Sequence, residues 1–179
     1  MKSQAELEKI VEGLISLEKE LETVEFKENN YKAEEIGKRI SAISNSACLF
    51  DQKLGYLLFG VKDDTHELVG TKFKFSKLKI GNGSRDHWMR RMLNPSVDFN
   101  FYEFDHKGTP VVLFEIPPAI ERTVEFQNTG YIRIGSETTK LENYPEKERK
   151  IWNNLHNKNF EKNLALEGKS AQEVLKLID

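Results

Sequence analysis

Between Thr23 and Val61 the spacing of apolar residues changes character twice, and this confines the chain to few architectures. Thr23-Val24-Glu25-Phe26 reads as a short strand. Ala33 to Ser44 carries Ile36, Ile40 and Ile43 on one helical stripe, and Gly55 to Val61 is apolar enough for a central strand. Strand, helix and strand in that order predict a crossover unit. The acids Glu20, Glu25 and Asp63 fall at the ends of its elements. Carboxylates placed there either converge on a divalent cation or form a solvated rim, and spacing alone fits both.

The flanks complete an α+β fold with a mixed β-sheet, a βαβ-like crossover unit and flanking helices. Leu7, Ile10, Val11, Leu14 and Leu17 predict an amphipathic helix ending near Glu20. The runs from Val97 to Phe104 and from Val111 to Ile116 predict a hairpin around His106-Lys107-Gly108-Thr109. Tyr131 to Gly135 predicts a further strand, with Ile132 and Ile134 on one face and Tyr131 and Arg133 on the other. Pro145 suits the first turn of a helix carrying Ile151, Trp152 and Leu155. With 179 residues, 38% of them hydrophobic, one core and a helical appendage are expected. The expected divisions are an amino-terminal helix over 1–20, a central domain over 20–140 and a carboxy-terminal helix over 141–167. Ser170-Ala171-Gln172-Glu173 has capping-box spacing. Residues 168–179 therefore read as the start of a truncated following region in a longer protein.

The net charge is only −2, so any anion site must be local rather than a basic coat. Cys48 is the single cysteine, which excludes an intrachain disulfide and a thiolate-rich zinc site and suits a reducing cytoplasm. No apolar run approaches the length of a membrane span, and the charged first helix is not a signal peptide. The four histidines lie in separate segments without ligand spacing.

One segment stands apart. Lys72, Lys74, Lys77, Lys79, Arg85, Arg90 and Arg91 alternate with Phe73, Phe75 and Trp88, around a Gly81-Asn82-Gly83 turn and a short helix capped by Ser84. Cations along phosphates with rings stacked on unpaired bases would suit a nucleic acid. Equally, the rings could be core and the cations a solubilising edge. Arg133, near Ser136, Thr138, Thr139 and Lys140, reads either as a phosphate contact or as a salt bridge to Glu115 or Glu137.

Four motifs in order, Glu20-x-x-x-x-Glu25-Phe26-Lys27, Ile40-Ser41-Ala42-x-x-Asn45-Ser46, Gly60-Val61-x-Asp63 and Val69-Gly70, resemble the Schlafen-type AlbA-like DNA-binding domain family over roughly residues 20–140. Val111 to Pro117 and Tyr131 to Ser136 look like its later strands. The chain departs from the family pattern after Ser46, where Ala47 to Leu54 replaces a short glycine-rich turn.

The resemblance implies a bacterial nucleic-acid-binding module, for DNA or RNA, of the transcriptional-regulator-like kind, with phosphate contacts from Lys27, the Lys72 to Arg91 block, Arg133 and Lys140. Family members also carry an ATP-binding label. No G-x-x-x-x-G-K-[ST] sequence supports it here. The Schlafen branch implies a second reading, a metal-dependent endoribonuclease in which Glu20, Glu25 and Asp63 act as catalytic residues and ligate Mg²⁺ or Mn²⁺, with a homodimer forming the clamp. A third is a protein-interaction domain whose hairpin edge or first helix docks a partner.

Overall fold

The computed structural model describes residues 2–29, 32–77, 79–80 and 83–166, with 79–80, 83–86 and 158–166 as backbone alone. The predicted crossover unit is present. β1 (Val24–Lys27) pairs in parallel with β2 (Gly55–Phe59), and the intervening α2 (Ala33–Leu49) connects them. This helix runs past Ser46, because Ala47, Cys48 and Leu49 continue its buried surface, so the segment that reads as a replaced turn begins as its last turn.

α1 (Gln4–Ile15) opens with a full capping box between Ser3 and Glu6. It ends earlier than its apolar pattern suggests, since Ser16 Oγ turns back to donate to the Gly13 carbonyl. Glu20 therefore lies in the following loop.

Beyond β2 come the two-residue pairs β3 (Lys79–Ile80) and β4 (Gly83–Ser84), then α3 (Arg85–Met92) and β5 (Leu93–Asn94). The predicted hairpin is β6 (Asn100–His106) with β7 (Thr109–Ile116). β8 (Glu125–Phe126), β9 (Thr129–Ile134), β10 (Glu137–Lys140) and α4 (Pro145–Leu166) complete the described chain. The expected turn at Gly81-Asn82, the Ser84 cap and the helix opening at Ser170 lie outside the described residues or side chains.

The architecture is α+β, but the strands divide. One four-stranded sheet has the order β1-β2-β7-β6 and is mixed, while the other has the order β10-β9-β8-β5. α2 lies against both, which explains why a single sheet does not form. Ile36, Ile40 and Ile43 pack with Leu57, Phe59 and Phe114 of the first sheet and with Phe126 and Ile132 of the second. On the outer face of the first sheet, Leu7, Val11 and Leu14 of α1 cover Val24, Phe26, Leu58, Val111 and Leu113. Residues of β2 and β7 alternate between these two clusters, as strand geometry requires.

Ser41, Ser44, Asn45 and Ser46 of α2 are as buried as its apolar residues. Ser41 Oγ donates to the Val124 carbonyl at 2.7 Å and accepts from Tyr131 N, while Ser46 Oγ accepts from Arg133 N. Asn45 Nδ2 donates to the carbonyls of Val124 and Tyr131, and its Oδ1 accepts from Val124 N at 2.8 Å. Gly37 permits the close approach, because a Cβ there would lie 2.1 Å from the Phe126 ring. Asn45→Ala is expected to destabilise the fold by about 3 kcal/mol, since each stranded backbone group costs roughly 1–3 kcal/mol. Denaturant unfolding with an unchanged m-value checks this.

Candidate functional site

The parallel pair β1 and β2 ends beside the start of α2, and strand ends of this kind collect ligand-binding residues. After β2 the chain makes a loop fastened at its base. Gly60 and Gly70 both have positive φ, +99° and +81°, and the Gly60 carbonyl accepts from Val69 N and Gly70 N at 2.9 and 2.8 Å. A Cβ on Gly60 would lie 3.0 Å from the Pro110 carbonyl, so glycine is required sterically as well as by its φ. The loop presents Lys62, Asp63 and Asp64 towards a cleft of about 590 Å³ that Lys27, Glu28, Asn29 and Arg39 also line. A second cleft of about 510 Å³ shares Glu28 and Asn29 and adds Thr71 and Lys72.

The acids Glu20, Glu25 and Asp63 are brought into one network, with cations between them. Glu20 Oε1 accepts from Phe26 N at 2.8 Å, and its Oε2 from Arg133 Nη2 at 2.9 Å. Arg133 Nη1 faces Glu25 Oε2. Glu25 Oε1 in turn meets Arg39 Nε at 3.2 Å and Lys27 Nζ at 3.1 Å, and Lys27 bridges onward to Asp63. Glu25, Arg39 and Arg133 are buried, whereas the Asp63 side chain is 51% exposed. Burial pushes both guanidinium groups below their ordinary pKa, opposed by nearby acids that include Glu20. Arginine nevertheless stays charged at any physiological pH.

As arranged, this set does not fit a divalent cation. Among the described residues no group of three or more acidic, histidine or cysteine side chains is placed to hold one. The Lys27 ammonium stands between Glu25 and Asp63, and the Arg133 guanidinium between Glu20 and Glu25, where a metal ion would sit.

The other expected residues are dispersed. Arg133, read as a phosphate contact or as a partner of Glu115 or Glu137, is 1% exposed and paired with Glu20 and Glu25, so it does not face a ligand from solution. Although Arg133 alternates with Ile132 along β9, its side of the strand is covered by the crossover unit rather than open. Lys140 is exposed and pairs with Glu142.

In the basic block Phe73 and Phe75 are core, 2% and 1% exposed, and Trp88 is half-buried and packs edge-on to Phe126. The two buried phenylalanines offer no stacking platform. Lys72, Lys77 and Arg91 are exposed and Lys74 is half-buried. Arg90 is held by the Val97 and Phe99 carbonyls, Asp98 and the Phe99 ring, while the side chains of Lys79 and Arg85 lie outside the described set.

Arg39 escaped the sequence reading, although it follows Ile36 by three residues and so points to the same buried side. Glu115, an acid inside the apolar run of β7, was a similar signal.

A family model described as Schlafen, AlbA_2 matches residues 20–142. The chain belongs to the Schlafen AlbA_2 family. The match begins at Glu20 and takes in every member of the charge network, but leaves out α1 and α4. Solved structures similar to this AlbA_2 chain include the DIP2311 protein from Corynebacterium diphtheriae, at 15% identity and TM-score 0.45 over 76% of this chain. The chain spans 26% of that protein. The N-terminal domain of a RecG-related protein from Nitrosomonas europaea is similar at 19% identity and TM-score 0.45, over 76% of this chain and 92% of that domain. No curated protein matches.

Arg133→Met is expected to cost about 3 kcal/mol, because it leaves Glu20 without its cation and the buried Glu25 with only Arg39 and Lys27. Chemical denaturation against the parent chain checks it.

Proposed function

We propose that this AlbA_2 domain is a nucleic-acid-binding module of the transcriptional-regulator-like kind, working in a reducing bacterial cytoplasm. The observation that carries the reading is the pair of adjoining clefts, which bring Lys27, Arg39, Lys62 and Lys72 from four chain segments to one strand-end surface. Lys72 and Lys62, the latter in an exposed pair with Glu67 at 2.6 Å, lie at the rim, where a sugar-phosphate backbone would engage them and displace that pair. Asp63, Asp64 and Glu28 in the same clefts limit how closely phosphates approach the floor. Contact is therefore with successive phosphates along the rim, which favours no base and carries little sequence information.

The test is a salt titration of binding to single-stranded and duplex DNA and RNA. Affinity should fall with salt, and Lys62→Ala and Lys72→Ala should each reduce the slope of log affinity against log salt by about one. Salt-independent affinity would overturn the reading.

The convergence of Glu20, Glu25 and Asp63 in one network favours a second reading, ribonuclease activity, and the interleaved cations oppose it. Asp63 is the exposed member, so Asp63→Asn separates chemistry from folding. Cleavage of a structured RNA in Mn²⁺ that disappears in this variant would establish the enzyme. Equal cleavage by parent and variant would eliminate these residues.

A further inference from the structure

Away from the strand-end clefts, the molecule contains a second buried carboxylate with a different set of partners. Glu115 is 2% exposed in the apolar strand β7. Its Oε2 accepts from Tyr102 Oη at 3.1 Å, and its Oε1 accepts from Nζ of Lys2, which the segment before α1 brings in. Tyr56, Glu115 and Asn100 are register partners across β2, β7 and β6, so they share one face of the sheet, the face α1 covers. Burial, and then the Glu115 charge, raise the pKa of the Tyr56 and Tyr102 phenols, which stay protonated. A desolvated carboxylate with a phenol hydroxyl and flanking rings suits a primary ammonium, and Lys2 shows that one fits.

Lys2 also lines a cleft of about 620 Å³, together with Gln4, Leu7, Asn100, Tyr102 and Phe104. The cleft runs along β6, the terminal strand of its sheet. Gln4 Nε2 reaches the Asp105 carbonyl and Arg90 the Phe99 carbonyl, so the odd-numbered carbonyls of this strand point away from β7. Those of Phe101 and Glu103 accept no further backbone hydrogen bond among the described residues. Such an edge accepts an added strand. A residue opposite Asn100 on that strand would start two strand spacings, about 10 Å, from Glu115 on the same face. A lysine and a glutamate side chain span that gap together.

We propose that Glu115, Tyr102 and Tyr56 form a primary-ammonium site that takes a lysine side chain from a partner segment added to the β6 edge, with Lys2 as its occupant in cis until the partner displaces it. Neither Lys2 nor α1 lies within residues 20–142, so the cis occupant comes from outside the matched domain. The proposal does not depend on nucleic-acid binding.

The experiment titrates the full chain with a short extended peptide of alternating threonine and valine carrying a central lysine, against the same peptide with norleucine and against n-butylammonium. The lysine peptide should bind more tightly than the norleucine peptide. Lys2→Ala should strengthen it about tenfold by removing the internal competitor. Adding Glu115→Gln should erase the preference for lysine. Tyr102→Phe, which deletes one hydroxyl from a half-buried ring, should reduce the preference and serves if the Glu115 variant does not fold. Equal affinity for both peptides in Lys2→Ala would overturn the site. Binding of n-butylammonium as tight as that of the lysine peptide would overturn the added strand.

Discussion

The hydrogen bonds from Ser41, Asn45 and Ser46 to the backbone of Val124, Tyr131 and Arg133 hold the two halves of the protein in register. A helix has no free backbone groups along its length with which to pair a strand, so side chains must do it. Here three polar side chains on one helix satisfy groups that a neighbouring strand would otherwise satisfy, in a setting where an unpaired amide is costly. The second sheet is consequently fixed against α2 by direction as well as by apolar contact. Apolar packing alone tolerates sliding, whereas these bonds define one rotation of the helix.

The charge network depends on that fixed relation. Ser46 anchors the amide of Arg133, whose guanidinium then meets Glu20 from the loop before β1 and Glu25 from β1 itself. Buried ion pairs of this kind add little net stability compared with apolar packing, because desolvation offsets most of the attraction. Their effect is on arrangement: Glu20, Glu25 and Asp63 are held apart, each with a cation, and of the three only Asp63 is largely open to solvent. This leaves a mixed-charge surface instead of a uniformly basic one.

Much of the fold was legible in the sequence because period and apolarity report local structure directly. The crossover unit, the β6/β7 hairpin, β9 and the start of α4 all follow from spacing. The division into two sheets was not, since it depends on which face of α2 each strand meets, and that is a tertiary choice. The buried polar face of α2 was visible as Ser41, Asn45 and Ser46 within a motif, without any sign of what they bond. At the site, the motifs pointed to acids that fall in one network, joined through cations. The intervening cations were harder to read because Arg133 comes from a distant strand and because alternation along β9 cannot distinguish an open face from one covered by another element. Phe73 and Phe75 show the same limit: alternation with lysine fits both a stacking surface and a core edge.

The loop from Gly60 to Gly70 is knotted at its neck by one carbonyl that accepts two amides. Its tip is also tied to the parallel strands beneath it, because Asp63 pairs with Lys27 of β1, the His66 ring lies 4.5 Å from that of Phe26, and Leu68 packs against the cluster that holds Phe26 and Leu58. Substitutions at the exposed Asp64, Thr65 and Glu67 can vary what is offered at the rim while His66 and Leu68 keep the loop seated, so descendants of this chain have a few side chains through which recognition can drift while the scaffold stays the same.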